Sequence, residues 1–297
     1  SELGCTTEAY EFAACGEVVN MAKLQEAWEG GIESVFPYRA EGEKVEQISW
    51  SEKLPLVCGE SFAKPRVIIP VFPGTNCEYD TAHAFKRAGA EPEILVINNL
   101  TPAAVAESTD ALVKAINNSQ IVMLPGGFSG DGLMLGICNG FQALIKLGLV
   151  PYGDIVPATS EAPTLTFNTI GRHQSGLVRT RIASSLSPWL SRCNVGDIHT
   201  VAISHGEGRF VASPETVVQL AAAGQIATQY VDEAGNPSMD LSVNPNGSIL
   251  AIEGITSPDG RVLGKMGHTE RSGNGLYKNV PGNLYQPLFE GGVEYFK

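Results

Sequence analysis

The sequence predicts an α/β protein with a mainly parallel sheet flanked by helices, followed by a C-terminal β-meander. Three observations predict it. Short, unbroken apolar runs recur between residues 66 and 137, and runs of that length suit strands buried on both faces of a parallel sheet. Segments with helical spacing and clear start and stop residues separate those runs. Beyond residue 240 the texture changes to short runs punctuated by turn residues.

The elements follow in order. Val67-Ile-Ile-Pro-Val71 reads as the first buried strand. Glu78 to Ala88 places Ala82, Phe85 and Ala88 on one side of a helix, with Gly89 as its stop. Ile94 to Ile97 is a second strand. Thr101-Pro102 reads as an N-cap with proline at the first helical position, opening a helix that runs to about Asn117. Ile121 to Leu124 and Leu133 to Ile137 are two more strands, and Asn139 to Leu147 is a helix with Phe141, Leu144 and Ile145 inward and Gly148 at its end. Pro245-Asn-Gly247 and Ser257-Pro-Asp-Gly260 flank the meander strands Ser248 to Ile255 and Arg261 to Met266. Residues 1–65 differ. They are Glu-rich, with a helical candidate from Val18 to Glu29 that places Leu24 and Trp28 four apart, a Gly30-Gly31 stop, and a polar run from Arg39 to Lys53. That composition is poorly suited to folding alone. We read residues 1–65 as a linker and the tail of a preceding domain, and residues 66–297 as the α/β domain.

Composition narrows the function. Hydrophobic residues make up 43% of the 297 and mean hydropathy is +0.01, enough for a core. The net charge of -12, with no cluster of Lys and Arg, argues against nucleic-acid binding. No apolar run is long enough to span a membrane, and no secretory signal opens the chain, so no membrane partner is expected. The six cysteines form no C-x-x-C pair, and the five histidines complete no zinc spacing with them, so no metal site is expected. Scattered cysteines in a chain of this size read as reduced and cytoplasmic, most of them buried structural thiols.

One of them carries a chemical signature. Leu133-Met-Leu-Gly-Ile-Cys138-Asn-Gly-Phe-Gln142 runs an apolar strand into Gly136-x-Cys138-x-Gly140 and then directly into a helix. This is a nucleophile-elbow arrangement with cysteine at its apex. The glycines leave room for the turn, and the helix N-terminus favours a thiolate. The bland alternative is a buried cysteine at a strand end. Downstream, His268-Thr-Glu270 offers an imidazole with a carboxylate two residues on, which share one side of an extended chain. Such a pair can orient the imidazole toward the thiol. Pro125-Gly126-Gly127 after the strand at Ile121 can supply one oxyanion N–H, and Asn139 after the nucleophile another, each worth about 3–4 kcal/mol in the transition state. Ser204-His205-Gly206-Glu207-Gly208 suggests backbone approaching a ligand closely. His205 also has an acid two residues on, so spacing alone leaves His205 and His268 as rival bases.

Taken together these residues resemble the class I, or triad, glutamine amidotransferase domain. More narrowly, Phe72-Pro-Gly-Thr-Asn-Cys77-Glu78, Ser204 to Gly208 and the stretch from Gly264 to Gly273 resemble the glutaminase part of the phosphoribosylformylglycinamidine synthase family of purine biosynthesis. The resemblance covers nearly all of residues 65–297. It implies a flavodoxin-like sheet and hydrolysis of L-glutamine to glutamate and ammonia. The catalytic set it implies is Cys138, His268 and Glu270, with Gly127 and Asn139 at the oxyanion and Gln142, His205, Gly206 and Glu207 around the substrate. Residues 1–65 then look like the tail of an ATP-dependent synthetase portion in a large single-chain form, with the whole sequence a C-terminal fragment. The partner is that synthetase portion, facing the elbow and the Phe72-to-Glu78 loop. ATP and magnesium belong to it, and this chain needs no cofactor. Two alternatives remain. A Cys-dependent hydrolase of the same build usually has His beside the nucleophile, where Asn139 stands here. A non-catalytic scaffold would not need the full Cys, His and Glu set.

One feature is anomalous. The strands at Ile121 and Leu133 should be parallel, since both deliver site residues at their C-terminal ends. Parallel neighbours need a crossover of about a dozen or more residues, yet only Pro125 to Gly132 separates them. The family carries a further stretch there. We therefore expect a missing segment close to Gly130–Asp131, the alternative being a short antiparallel hairpin.

Overall fold

The computed structural model describes residues 4–6, 8–31, 43–52, 60–124, 132–273 and 275–297. Two short strands, β1 (Glu11–Ala14) and β2 (Glu17–Asn20), form an exposed hairpin leading into α1 (Met21–Gly30), which buries none of its residues. The helix expected from Val18 therefore starts later. Val18 and Val19 pair with Ala13 and Phe12 as strand, and the Asn20 side chain caps the helix by accepting from the Lys23 N–H.

The main unit begins with β3 (Arg66–Val71), α2 (Glu78–Ala88), β4 (Glu91–Val96), α3 (Pro102–Asn117), β5 (Ile121–Leu124), β6 (Leu133–Ile137) and α4 (Asn139–Leu147). It continues through α5 (Leu149–Tyr152), β7 (Thr164–Phe167), β8 (Gln174–Ile182), β9 (Ile198–His205), β10 (Glu207–Val211) and α6 (Pro214–Ala222). It closes with β11 (Ile226–Val231), β12 (Ile252–Thr256), β13 (Val262–Lys265) and α7 (Leu288–Glu294). Nine strands make one sheet in the order β4-β3-β5-β6-β13-β12-β11-β8-β9. The half from β4 to β13 is parallel, and the remainder is antiparallel.

The helix signals read from the sequence have physical counterparts. Thr101 Oγ1 accepts from the Ala104 N–H, capping α3 ahead of its proline. Gly89 ends α2 in the left-handed conformation. In the parallel half, alternate strand residues face two cores. Ile69, Met123 and Leu135 meet Phe85, Trp189 and Phe289 on one face. Ile68, Val122 and Met134 meet Phe141 and Leu144 of α4 on the other.

Three expectations change. The meander is not an appendage, because β11, β12 and β13 continue the main sheet. Its Ser248-to-Ile255 segment opens as a single 3-10 turn, Ile249–Ala251, before β12 begins. Of the five described cysteines, only Cys193 is buried.

Residues 43–52 also do more than link. Lys44 bridges Ser238, Trp50 bridges Ser184, and the Trp50 N–H donates to Ala183 O at 2.8 Å. Arg181 adds bonds to Ile48 O and Ser49 Oγ. This stretch therefore runs against the antiparallel half.

β5 and β6 are parallel, with Ile121 opposite Leu133 and Leu124 opposite Gly136, so the hairpin alternative is excluded. The expected break at Gly130–Asp131 lies outside the described residues. Among those residues, no helix is long and apolar enough to cross a membrane.

Candidate active site

β6 runs straight into α4 through Cys138, which adopts φ 56° and ψ −109°. A side-chain-bearing residue at positive φ stores strain, and such strain concentrates at functional sites. Two features hold the turn. The Cys138 N–H donates to Lys265 O of β13 at 2.9 Å, and its own carbonyl accepts the Gln142 N–H at 3.1 Å. The preceding Gly136 is required by space. A Cβ there would lie 2.5 Å from Leu144 Cδ1 and 2.7 Å from the Gly140 carbonyl carbon. Without it α4 packs directly onto the strand, leaving the half-buried Cys138 sulfur at the helix N-terminus, 3.9 Å from Ser204 O.

β13 leads to the second element. The His268 N–H donates to Ala202 O of β9 at 2.8 Å, which fixes the backbone. Its Nδ1 lies 2.5 Å from Glu270 Oε1, with both side chains buried. The pairing expected from the two-residue spacing is present, but its geometry differs. They meet across a tight turn, closed by Thr269 N–H to Gly267 O and Arg271 N–H to His268 O, rather than along an extended strand. His268 Nε2 has no hydrogen-bond partner among the described residues. The Cys138 and Cys77 thiols lie beside the ring.

The two candidate bases separate electrostatically. Burial opposes a charge on His268, but the Cys138 and Cys77 thiols and the Glu270 carboxylate outweigh it and raise its pKa to about 11. His205 moves the other way. Burial, and then the charge of His268, lower it to about 4. Its Nδ1 lies 3.2 Å from Asn168 Oδ1, and Asn168 Nδ2 donates to its carbonyl. Environments that push two titratable groups apart assign their roles. Near neutral pH His268 is held protonated and His205 neutral, which suits the first to carry a proton.

The raised His268 contributes stability that is complete below about 6.5 and is lost as pH rises through about 11. The depressed His205 contributes stability present above about 6.5 and lost as pH falls through about 4. Nitrogen-15 NMR between pH 6 and pH 9, a range of about three units chosen around neutrality, should show His268 doubly protonated and His205 neutral throughout. Titration of His268 near its ordinary value would contradict this geometry.

These groups line a cleft of about 440 Å³ at the C-terminal ends of β3, β5, β6 and β9. Asn139, Gln142, His205, Gly206 and Glu207 all reach it. Gln142 Nε2 donates to Glu207 O at 3.0 Å, tying α4 to the β9–β10 turn. Gly127 lies outside the described residues. The cleft is also lined by Arg271, whose guanidinium donates to Cys77 Sγ at 2.8 and 3.3 Å, and by His173, whose Nε2 lies 3.1 Å from Ser204 Oγ. Arg271 directly follows the His-Thr-Glu run, but no spacing rule singles it out.

Cys77, His268 and Glu270 place three metal-capable atoms within 4.8 Å of one another. The set suits a proton relay better than an ion, because Nδ1 and Oε1 already engage each other and Arg271 covers the Cys77 sulfur. With Cys138 as the thiol, the imidazole of His268 and the carboxylate of Glu270 could supply nucleophile, acid–base group and orienter for acyl transfer.

Comparison with known proteins agrees with this chemistry. The sequence model of the CobB/CobQ-like glutamine amidotransferase domain matches residues 64–131 and 129–296. The similar proteins include relatives named phosphoribosylformylglycinamidine synthase subunit PurQ. That of Methanococcus maripaludis strain S2 is 35% identical over 242 aligned positions, covering 70% of this chain and 82% of the relative. That of Chlorobaculum tepidum is 32% identical over 248, covering 74% and 94%. Among solved structures, PurLQS from Thermotoga maritima aligns with a TM-score of 0.55 at 25% identity, covering 79% of this chain and all of that one.

Proposed function

We propose, from the premise that the chain belongs to the CobB/CobQ-like glutamine amidotransferase domain family, that it is the glutaminase of a phosphoribosylformylglycinamidine synthase. The observation that carries this reading is the strained Cys138 elbow beside an imidazole held by Glu270. Relatives bearing that enzyme's name match over most of their length.

In this mechanism the Cys138 sulfur, its proton already carried by His268, attacks the carboxamide carbon of L-glutamine. The N–H groups of Asn139 and Gly127 stabilise the oxyanion of the tetrahedral intermediate. Protonated His268 gives its proton to the departing nitrogen, and ammonia leaves a γ-glutamyl thioester on Cys138. The now neutral His268 takes a proton from water, whose oxygen attacks the thioester and releases glutamate. Glu270 keeps Nδ1 in place through both half-reactions. Gln142, His205, Gly206 and Glu207 shape the cleft that holds the substrate.

The ammonia serves an ATP-dependent synthetase portion of the same polypeptide, the large single-chain form, in the cytoplasm. Residues 1–65 are its tail and the linker, ATP and magnesium bind there, and this chain uses no cofactor of its own. The family match starting at residue 64 supports that boundary. Two matched stretches meeting at 129–131, beside parallel strands joined by eight residues, support a missing crossover segment at Gly130–Asp131.

Ammonia release from L-glutamine tests the reading. The chain alone should turn over slowly, and the synthetase portion should accelerate it, because free ammonia is wasted unless an acceptor is ready. No ammonia release with the synthetase portion present would overturn the assignment.

A further inference from the structure

We propose that the buried Glu253–Lys265 pair is a positioning device for His268, clamping the Gly267 backbone on one side of it and the Thr269 hydroxyl on the other so that the imidazole faces Cys138. The proposal rests on the reading of His268 as the proton carrier. The two side chains are fully buried, with Lys265 Nζ 3.4 Å from Glu253 Oε1. Their shorter bonds go to the His268 turn rather than to each other. Glu253 Oε1 accepts the Gly267 N–H at 2.5 Å. Lys265 Nζ donates to Gly267 O at 2.9 Å and to Thr269 Oγ1 at 2.8 Å. The Thr269 hydroxyl in turn donates to Gln286 Oε1 at 2.7 Å, and Glu253 Oε2 accepts from Thr228 Oγ1. Both residues flanking His268 are therefore held by buried charge.

Gly267 is shaped to this clamp. A Cβ there would come within 2.7 Å of Val201 Cγ2 and 2.9 Å of Glu253 Oε1. A pair serving stability alone gains little from charge, since apolar residues of similar volume often replace buried ion pairs without loss. An apolar pair cannot bond the Gly267 N–H and C=O. What the charges add here is direction. A misplacement of about 1 Å in a reacting group can cost about 100-fold in rate, so a turn fixed on both sides of His268 has a catalytic consequence.

Removing one partner would strand a buried charge, so two double variants make the test. Glu253→Leu with Lys265→Met keeps volume and discards every clamp bond. Glu253→Gln with Lys265→Met retains a carbonyl oxygen to accept from Gly267 N–H. Each is assayed for glutamine hydrolysis with the synthetase portion present, with His268→Ala alongside. The Leu/Met pair should fold, lose about 100-fold in kcat and keep KM within about twofold, while the Gln/Met pair recovers much of the loss. Wild-type kcat in a folded Leu/Met variant overturns the proposal, and equal losses in both variants overturn the role given to Glu253. Should neither fold, hydrogen exchange on the unmodified protein decides. The Gly267 amide should be protected as strongly as the sheet amides, and rapid exchange there overturns the clamp. An unaffected His268→Ala variant would instead reject the underlying reading of His268. A slow His268→Ala beside an unimpaired Leu/Met pair rejects only the positioning role.

Discussion

Replacing Cys138 with alanine should reduce glutamine-dependent ammonia release by about 10⁶-fold, the scale seen when a covalent nucleophile is removed. The side chain is small and half-buried, so alanine should leave the fold intact and remove only the sulfur with its approach to Ser204 O. Ammonia-driven synthesis should survive, because ammonia supplied from solution bypasses the thioester. Steady-state assays with glutamine and with ammonium salts as separate nitrogen sources check both halves. Retention of glutamine-driven turnover by the alanine variant would remove Cys138 from the mechanism.

Glu270→Gln should cost about 10⁴-fold in kcat, as loss of the carboxylate behind a catalytic imidazole does elsewhere. Shape and volume are nearly preserved, so the cause is electrostatic. The carboxylate holds Nδ1 at 2.5 Å and is among the groups that keep His268 protonated against its burial. With glutamine in its place, the His268 pKa should fall toward its ordinary range and the pH–rate profile should shift to lower pH. KM should change little, because Glu270 supports the imidazole rather than the substrate. A variant with wild-type kcat would show that the imidazole is oriented by other groups.

Much of the parallel half was legible because its signals are local. Glu78 to Ala88, Thr101 to Asn117 and Asn139 to Leu147 carry their own caps, breaks and apolar spacing, and the helices occupy those spans. The Cys138 elbow was legible for the same reason, since glycine at 136 and a helix starting at 139 are short-range facts. The antiparallel half was harder. β8 and β9 mix polar and apolar residues along their length, and eight register pairs between them, set by partners far apart in sequence, hold them together. The Arg271–Cys77 contact joins residues 194 positions apart. The Glu253–Lys265 pair shows the opposite limit. A sequence reading expects charged residues to face water, and only the closed turn around Gly267 makes a buried pair useful there. Spacing alone leaves His268 and His205 level, and at the level of sequence only the family resemblance favours His268. Each has a carboxylate residue two positions on, but only His268 receives the carboxylate oxygen on its ring.

The most direct test of the central claim is covalent trapping. A chloroketone analogue of glutamine, incubated with the protein and followed by peptide mass mapping, places an adduct on whichever thiol serves as nucleophile. A single adduct is expected on Cys138, with L-glutamine protecting against it and the other five cysteines unmodified. Cys77 is the decisive control, since it lines the same cleft and sits beside the same imidazole. An adduct forming first on Cys77, or spread over several cysteines without protection by glutamine, would contradict it.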